Sequence, residues 1–153
     1  MKNIVIQVLA SIVATYGFGI VFNVRGQKII YASLCGGLGW LVYSILNYNG
    51  FTDLVAYTAA SSSITIYSEL LSKKLRIPTI ALLFPSMIPL VPGGGIYFTM
   101  YNLVQDNISG AIEKCLETFI ISGSIAIGIL IVSTFSQIYY YLIREKEIDD
   151  RYI

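Results

Sequence analysis

Five stretches of the chain, residues 4–22, 29–47, 52–70, 79–101 and 118–143, are mostly apolar and about twenty residues long, and short polar joints separate them. An α-helix rises about 1.5 Å per residue, so about 20 residues cross a hydrocarbon core about 30 Å thick. Repetition of that length marks bilayer crossings rather than the buried helices of a soluble core. Charged residues make up 12% of the chain, about half the share usual in soluble domains. The pattern predicts an all-α, polytopic membrane protein of about five transmembrane helices, with one bundle over residues 1–143 and a charged cytoplasmic tail over 144–153. The first apolar block is longer than a signal-peptide core and has no obvious small-residue cleavage site, so it reads as a retained helix.

Several chemistries are unsupported. The chain has no histidine, and Cys35 and Cys115 are far apart without a CxxC spacing or a ligand cluster. Neither a metal site nor a cofactor is expected. The net charge of +1 and the scatter of basic residues in short joints argue against nucleic acid. No nucleophile has a visible base and no intramembrane aspartates pair, so no catalytic residues are assigned and an enzyme is not expected.

The basic residues report orientation instead, because Lys and Arg are retained on the cytoplasmic side. Arg25, Lys28, Lys73, Lys74, Arg76, Arg144, Lys146 and Arg151 fall on one side of a five-crossing chain, and only Lys2 and Lys114 on the other. The N-terminus is therefore expected outside and the C-terminus in the cytoplasm. An odd number of crossings with an outward start suits a chain that works beside a membrane partner.

Small residues cluster in two helices: Cys35-Gly36-Gly37-Leu38-Gly39 in the second, and Ala56, Ala59, Ala60, Ser61, Ser62 and Ser63 in the third. Close helix packing is the first reading of both, since small residues let backbones approach in lipid. Ser61, Ser62 and Ser63 are also candidates to line a pathway, although serine hydroxyls in helices often bond back to their own main chain. Residues 102–117 carry apolar positions at spacings of three and four, which predicts one short amphipathic helix lying at the membrane interface.

The densest signal is in the fourth crossing. Pro85, Pro89 and Pro92 lie within eight residues, and Gly93-Gly94-Gly95 follows at once. Each proline costs on the order of 3 kcal/mol in a helix interior. A continuous helix is not expected here. Broken main chain at membrane depth survives only where protein or a watery cavity covers it. The prolines would leave the carbonyls of Ala81, Pro85 and Ile88 as free acceptors, a seat for an ammonium group. A half-helix resuming at Ile96 would offer free N–H groups and a positive dipole end to a carboxylate. The candidate substrate site is therefore Pro85, Pro89, Pro92, Gly93, Gly94, Gly95, Tyr97 and Thr99, the last two supplying hydroxyls.

Two acidic residues lie near or within helices. Asp53 suits an N-cap of the third helix. Glu69 sits about a turn from the inner end of that helix, where an intramembrane carboxylate is a candidate for proton coupling. Lys73, four residues on, offers the alternative of a simple ion pair.

The stretch Glu69-Leu70-Leu71-Ser72-Lys73-Lys74-Leu75-Arg76-Ile77-Pro78, with Ile88-Pro89-Leu90-Val91-Pro92-Gly93-Gly94 after it, resembles the C-terminal membrane half of threonine/serine exporters. In many bacteria that half is a separate chain partnered with a larger membrane subunit. The resemblance implies proton-driven secondary export of small amino acids across the bacterial cytoplasmic membrane. Some split members are associated with dicarboxylates such as succinate, so a dicarboxylate is the alternative substrate. A non-transporting accessory subunit is the alternative role.

Overall fold

The computed structural model describes the main chain of residues 2–149 and the side chains of residues 4–141. The described residues form six α-helices: α1 (Lys2–Val21), α2 (Lys28–Tyr48), α3 (Asp53–Leu75), α4 (Ile80–Met87), α5 (Gly93–Val104) and α6 (Ile108–Asp149), with a 3-10 turn, Ile88–Leu90, between α4 and α5. The joints turn through left-handed residues: Asn23 and Gly26 after α1, Gly50 after α2, Arg76 after α3 and Asp106 after α5. Glycine and asparagine or aspartate adopt that conformation at least cost. Asp53 is not the cap expected of it. It is the first residue of α3, after Thr52, and it accepts a hydrogen bond from the Asn47 side chain at 3.2 Å, which ties the α2–α3 joint.

Three helices are long and apolar enough to cross a membrane, at Ile4–Val21, Lys28–Tyr48 and Ile108–Tyr141. The pair Ile80–Leu90 and Gly93–Val104, bent by 50°, makes a fourth if it is one span. Helix α3 is 23 residues long, but its charged residues Asp53, Glu69, Lys73 and Lys74, with a run of serines and threonines between them, keep it below that hydropathy. The separate interfacial helix expected over 102–117 does not form. Its first residues end α5, a tight turn occupies Gln105 to Asn107, and Ile108 onward is the start of the last span itself. The apolar spacing was a helical signal correctly located in period but not in extent: α5 and α6 pack together as a hairpin, in which Ala111 is buried while Val104, Ile108 and Ile112 stay exposed.

Helix α2 lies between α1 and α3, α3 packs on α6, and α4 rests on α2 and α3. The contacts are close because the residues are small. A side chain at Gly36 would meet Thr15 of α1, one at Gly39 would meet Ile64 of α3, and one at Gly128 would meet Ser61 and the Thr58 carbonyl of α3. The packing reading of both small-residue clusters therefore holds. Buried hydroxyls are satisfied mostly within their own helices, as Thr15 is by the Ser11 carbonyl and Thr65 by the Ser61 carbonyl, each at 2.8 Å. A few cross between helices, including Ser86 of α4 to the Ala32 carbonyl of α2 at 2.9 Å.

The depth of the break follows from these contacts. The position a side chain would take at Gly39 touches both Ile64 and Leu90. Ile64 is the middle residue of α3, so the 3-10 turn that ends α4 sits at mid-bundle rather than near either end. Helix α5 then packs mainly on α6, and none of its residues is buried.

Candidate functional site

The fourth crossing breaks where proline density demands it, although each proline does a different job. Pro85 is fully buried inside α4, which continues to Met87 although the proline removes the donor of the Ala81 carbonyl and its ring crowds that oxygen. Pro89 lies in the 3-10 turn, whose tighter winding absorbs the second missing N–H. Val91 is extended, and Pro92 caps α5. The span therefore changes direction at Val91 and Pro92, one residue before the glycines.

The half-helix resumes at Gly93, three residues earlier than the sequence suggests. The glycines are its first turn rather than a linker. The Gly93 N–H donates to the Val91 carbonyl at 2.8 Å and the Ile96 N–H to the Pro92 carbonyl at 3.3 Å. Among the described residues the N–H groups of Gly94 and Gly95 have no acceptor. They are the two free donors at the positive end of α5. The glycines also divide by surroundings. A side chain at Gly95 would strike Thr118 of α6, whereas one at Gly93 or Gly94 would meet nothing within 4 Å. Gly95 is a packing glycine, and Gly93 and Gly94 keep an open face.

The acceptor half is only partly present. The Val91 N–H donates to the Ile88 carbonyl at 3.2 Å, so that carbonyl is not the free acceptor expected of it. The carbonyls of Ala81 and Pro85 keep their loss, since the residues four further on are prolines. Thr99 and Tyr97 are not brought together. Thr99 donates to the Gly95 carbonyl at 2.8 Å, while Tyr97 is exposed and stacks on Tyr101, ring centroids 6.3 Å apart. Ser61 and Ser62 face the α3–α6 contact, and Ser63 does not share their face. Ser61 donates to the Thr58 carbonyl, Ser62 to the Gly128 carbonyl and Ser63 to the Ala60 carbonyl.

Glu69 is half-buried and lines a cavity of about 400 Å³ between α3 and α6, together with Lys73, Ser136 and Tyr140. The ion pair with Lys73 is not made. The Lys73 ammonium sits over the Tyr140 ring instead, a cation–π contact. Glu69 is five residues past Ile64, about 7 Å nearer the basic end, and it faces α6. The neighbouring Ser68 faces α2, where its hydroxyl is 3.6 Å from the Cys35 thiol. Glu69 and the break therefore lie on different faces of α3.

Three features escaped sequence reading. Cys35, Ser68 and Ser86, all fully buried, line the contacts of α2, α3 and α4 just below the break. Trp40 Nε1 and Ser44 Oγ on α2 are buried without a partner among the described residues; Trp40, next to Gly39, lies close to the depth of the break, and Ser44 about a turn further along α2. Buried unpaired donors are uncommon, but no motif in the sequence distinguishes them from ordinary helix residues. The third is a cavity of about 410 Å³ between the α1–α2 joint and α4, where Asn23, Arg25 and Lys28 face Ala81 and Pro85. Arg25 and Lys28 had carried only topology.

No curated protein and no solved structure matches the chain. A family model described as Threonine/Serine exporter, ThrE, matches residues 7–135, well over half the chain; that match joins the proline–glycine break and the apolar helices around it, and the chain belongs to this family of membrane exporters, which is not an enzyme family.

Proposed function

We propose that this chain is one membrane half of a secondary exporter, and that the end of α5 receives the carboxylate of a small solute. The observation that carries this reading is the pair of free N–H groups at Gly94 and Gly95, at a break in a span, with an open face at Gly93 and Gly94. A carboxylate is the chemical complement of such a helix end. Lipid cannot satisfy those groups, and α5 has no buried residue, so a larger partner subunit is the natural cover for them. The carbonyl of Pro85 is the seat for an ammonium group if the solute is a threonine- or serine-like amino acid; a dicarboxylate such as succinate would leave it unused. Pro89 and Pro92 set the bend, Thr99 steadies the first turn of α5, and Tyr97 borders the open side. Ser61, Ser62 and Ser63, with hydroxyls committed to main-chain carbonyls, serve packing in this reading.

In the same proposal α3 is the fifth crossing. Its 23 residues span about 34 Å, and neighbours on three sides hide its hydroxyls from lipid. Five crossings place the N-terminus outside and the charged C-terminal segment in the cytoplasm of a bacterial cell, in accord with the bias of basic residues. Residues 1–143 then form a single transmembrane unit.

The test is transport by this chain and its partner in proteoliposomes, with labelled serine, threonine and succinate on the basic side and an imposed proton gradient. Gradient-driven movement of one of them is expected. Full transport by the partner alone would show instead that this chain is accessory. Glu69 is proposed as the coupling group, since Tyr140 has drawn away the lysine that would neutralise it. Glu69→Gln should lose essentially all gradient-driven accumulation yet retain exchange of labelled for unlabelled solute, and unchanged accumulation would remove Glu69 from the mechanism.

A further inference from the structure

The cavity at the basic end has a composition that topology alone does not explain. Its mouth carries Arg25 and Lys28, no acidic residue lines it, and its wall runs along α4 through Ala81 to Pro85. The Arg25 Nε donates to the Asn23 side-chain oxygen at 2.9 Å, a neutral partner, and among the described residues no carboxylate pairs with the guanidinium. Among the described residues the one ion pair is Lys114 with Glu117, at the opposite end of the chain's α6. Two cations therefore border about 410 Å³ of space, enough for a small organic anion. Pro85 lies one helical turn before Pro89, so the wall of this cavity leads along α4 towards the break. On that wall Pro85 removes the helical donor of the Ala81 carbonyl, which adds an acceptor beyond the two cations.

We infer that this cavity is a second, loading site, in which Arg25 and Lys28 take the carboxylate of a small solute at the basic face before it reaches the end of α5. The inference rests on the proposed carboxylate export, and it deepens that reading by separating capture from passage. An anion between two cations gains charge-assisted hydrogen bonds that water and a neutral mouth do not supply. The competing occupant of the same chemistry is the phosphate of an anionic lipid, because basic residues at a membrane surface attract such headgroups.

The experiment reads the cavity directly. Val24 also borders it, and Val24→Cys in a Cys115→Ser background, assembled with the partner subunit, gives a thiol whose labelling by a neutral maleimide reports occupancy; Cys35 is buried. Serine and succinate are added separately, in vesicles of zwitterionic lipid and in vesicles containing phosphatidylglycerol. In zwitterionic vesicles at ten times its dissociation constant, a bound solute leaves about one site in eleven free, so labelling should slow about tenfold. Protection should vanish with Arg25→Gln and Lys28→Gln together, and persist with Arg25→Lys and Lys28→Arg, which keep both charges and show that the assembly tolerates change here. The double Gln variant should also raise the half-saturating solute concentration at the basic face about tenfold or more, the worth of one lost charged hydrogen bond. Slowing by phosphatidylglycerol but by neither solute would overturn the inference in favour of a headgroup site. Labelling indifferent to all three would overturn it as well. Because the readout is binding, the two failures are distinguishable: an unprotected cavity in a complex that does export sinks the loading site alone, whereas a protected cavity in a complex that moves no solute sinks the export proposal and the loading role with it.

Discussion

Replacing Gly93 and Gly94 together with leucine is expected to abolish transport while leaving the chain folded and in the membrane. The first carbon of neither new side chain meets another atom within 4 Å, and both positions are exposed, so the packing of this chain gives no reason for loss of stability. Leucine is also a better helix former than glycine by up to about 1 kcal/mol per position. The two side chains would instead cover the Gly94 and Gly95 donors and fill the open face. Two hydrogen bonds to a charged group are worth on the order of 3–6 kcal/mol, so solute flux should fall by a factor of about one hundred or more. Flux in proteoliposomes, with membrane level and partner co-purification as controls, decides the matter. Normal flux would remove the end of α5 from the substrate path. Loss of the partner together with loss of flux would reassign this face to subunit contact.

The second large effect is on stability. Gly128→Leu should drive α3 and α6 apart, since the first added carbon falls against Ser61 and 2.6 Å from the Thr58 carbonyl. A serine hydroxyl can rotate away, but a main-chain carbonyl cannot. Overpacking of this kind costs about 1–3 kcal/mol and sometimes more, a large part of the 5–15 kcal/mol typical of a whole protein. The purified variant in detergent should lose its native elution profile at a distinctly lower temperature than the parent. The cavity lined by Glu69 lies on the same helix pair, so coupling should suffer with stability. A variant as stable as the parent would mean that α3 and α6 do not approach as closely as Gly128 implies. Read beside the Gly93 and Gly94 pair, it contrasts a glycine required by a neighbour with two that have none.

That contrast explains what could be read from residue order. The break in the fourth span was legible because proline acts locally: it lacks an N–H wherever it stands, and three in eight residues leave too few bonds for a straight helix. The close approach of α2 to its neighbours was equally legible, since glycine and alanine act by what they lack. The partner of Lys73 was not. Spacing on one helix favours Glu69, but Tyr140 is reached only once α6 lies against α3. The interfacial helix failed for a related reason: an amphipathic period shows that a face seeks cover and is silent on whether membrane surface or another helix supplies it.

The sequence by itself therefore determined that the chain is a bundle of membrane helices with one span interrupted between Pro85 and Gly95, because hydropathy and missing donors are properties of residues. Only the tertiary structure decided that the break lies at mid-bundle, that α5 begins at Gly93 with two unpaired N–H groups, and that Arg25 and Lys28 share a cavity with Pro85. Those facts depend on which helices touch and at what register, and register is set by packing between segments far apart in the chain.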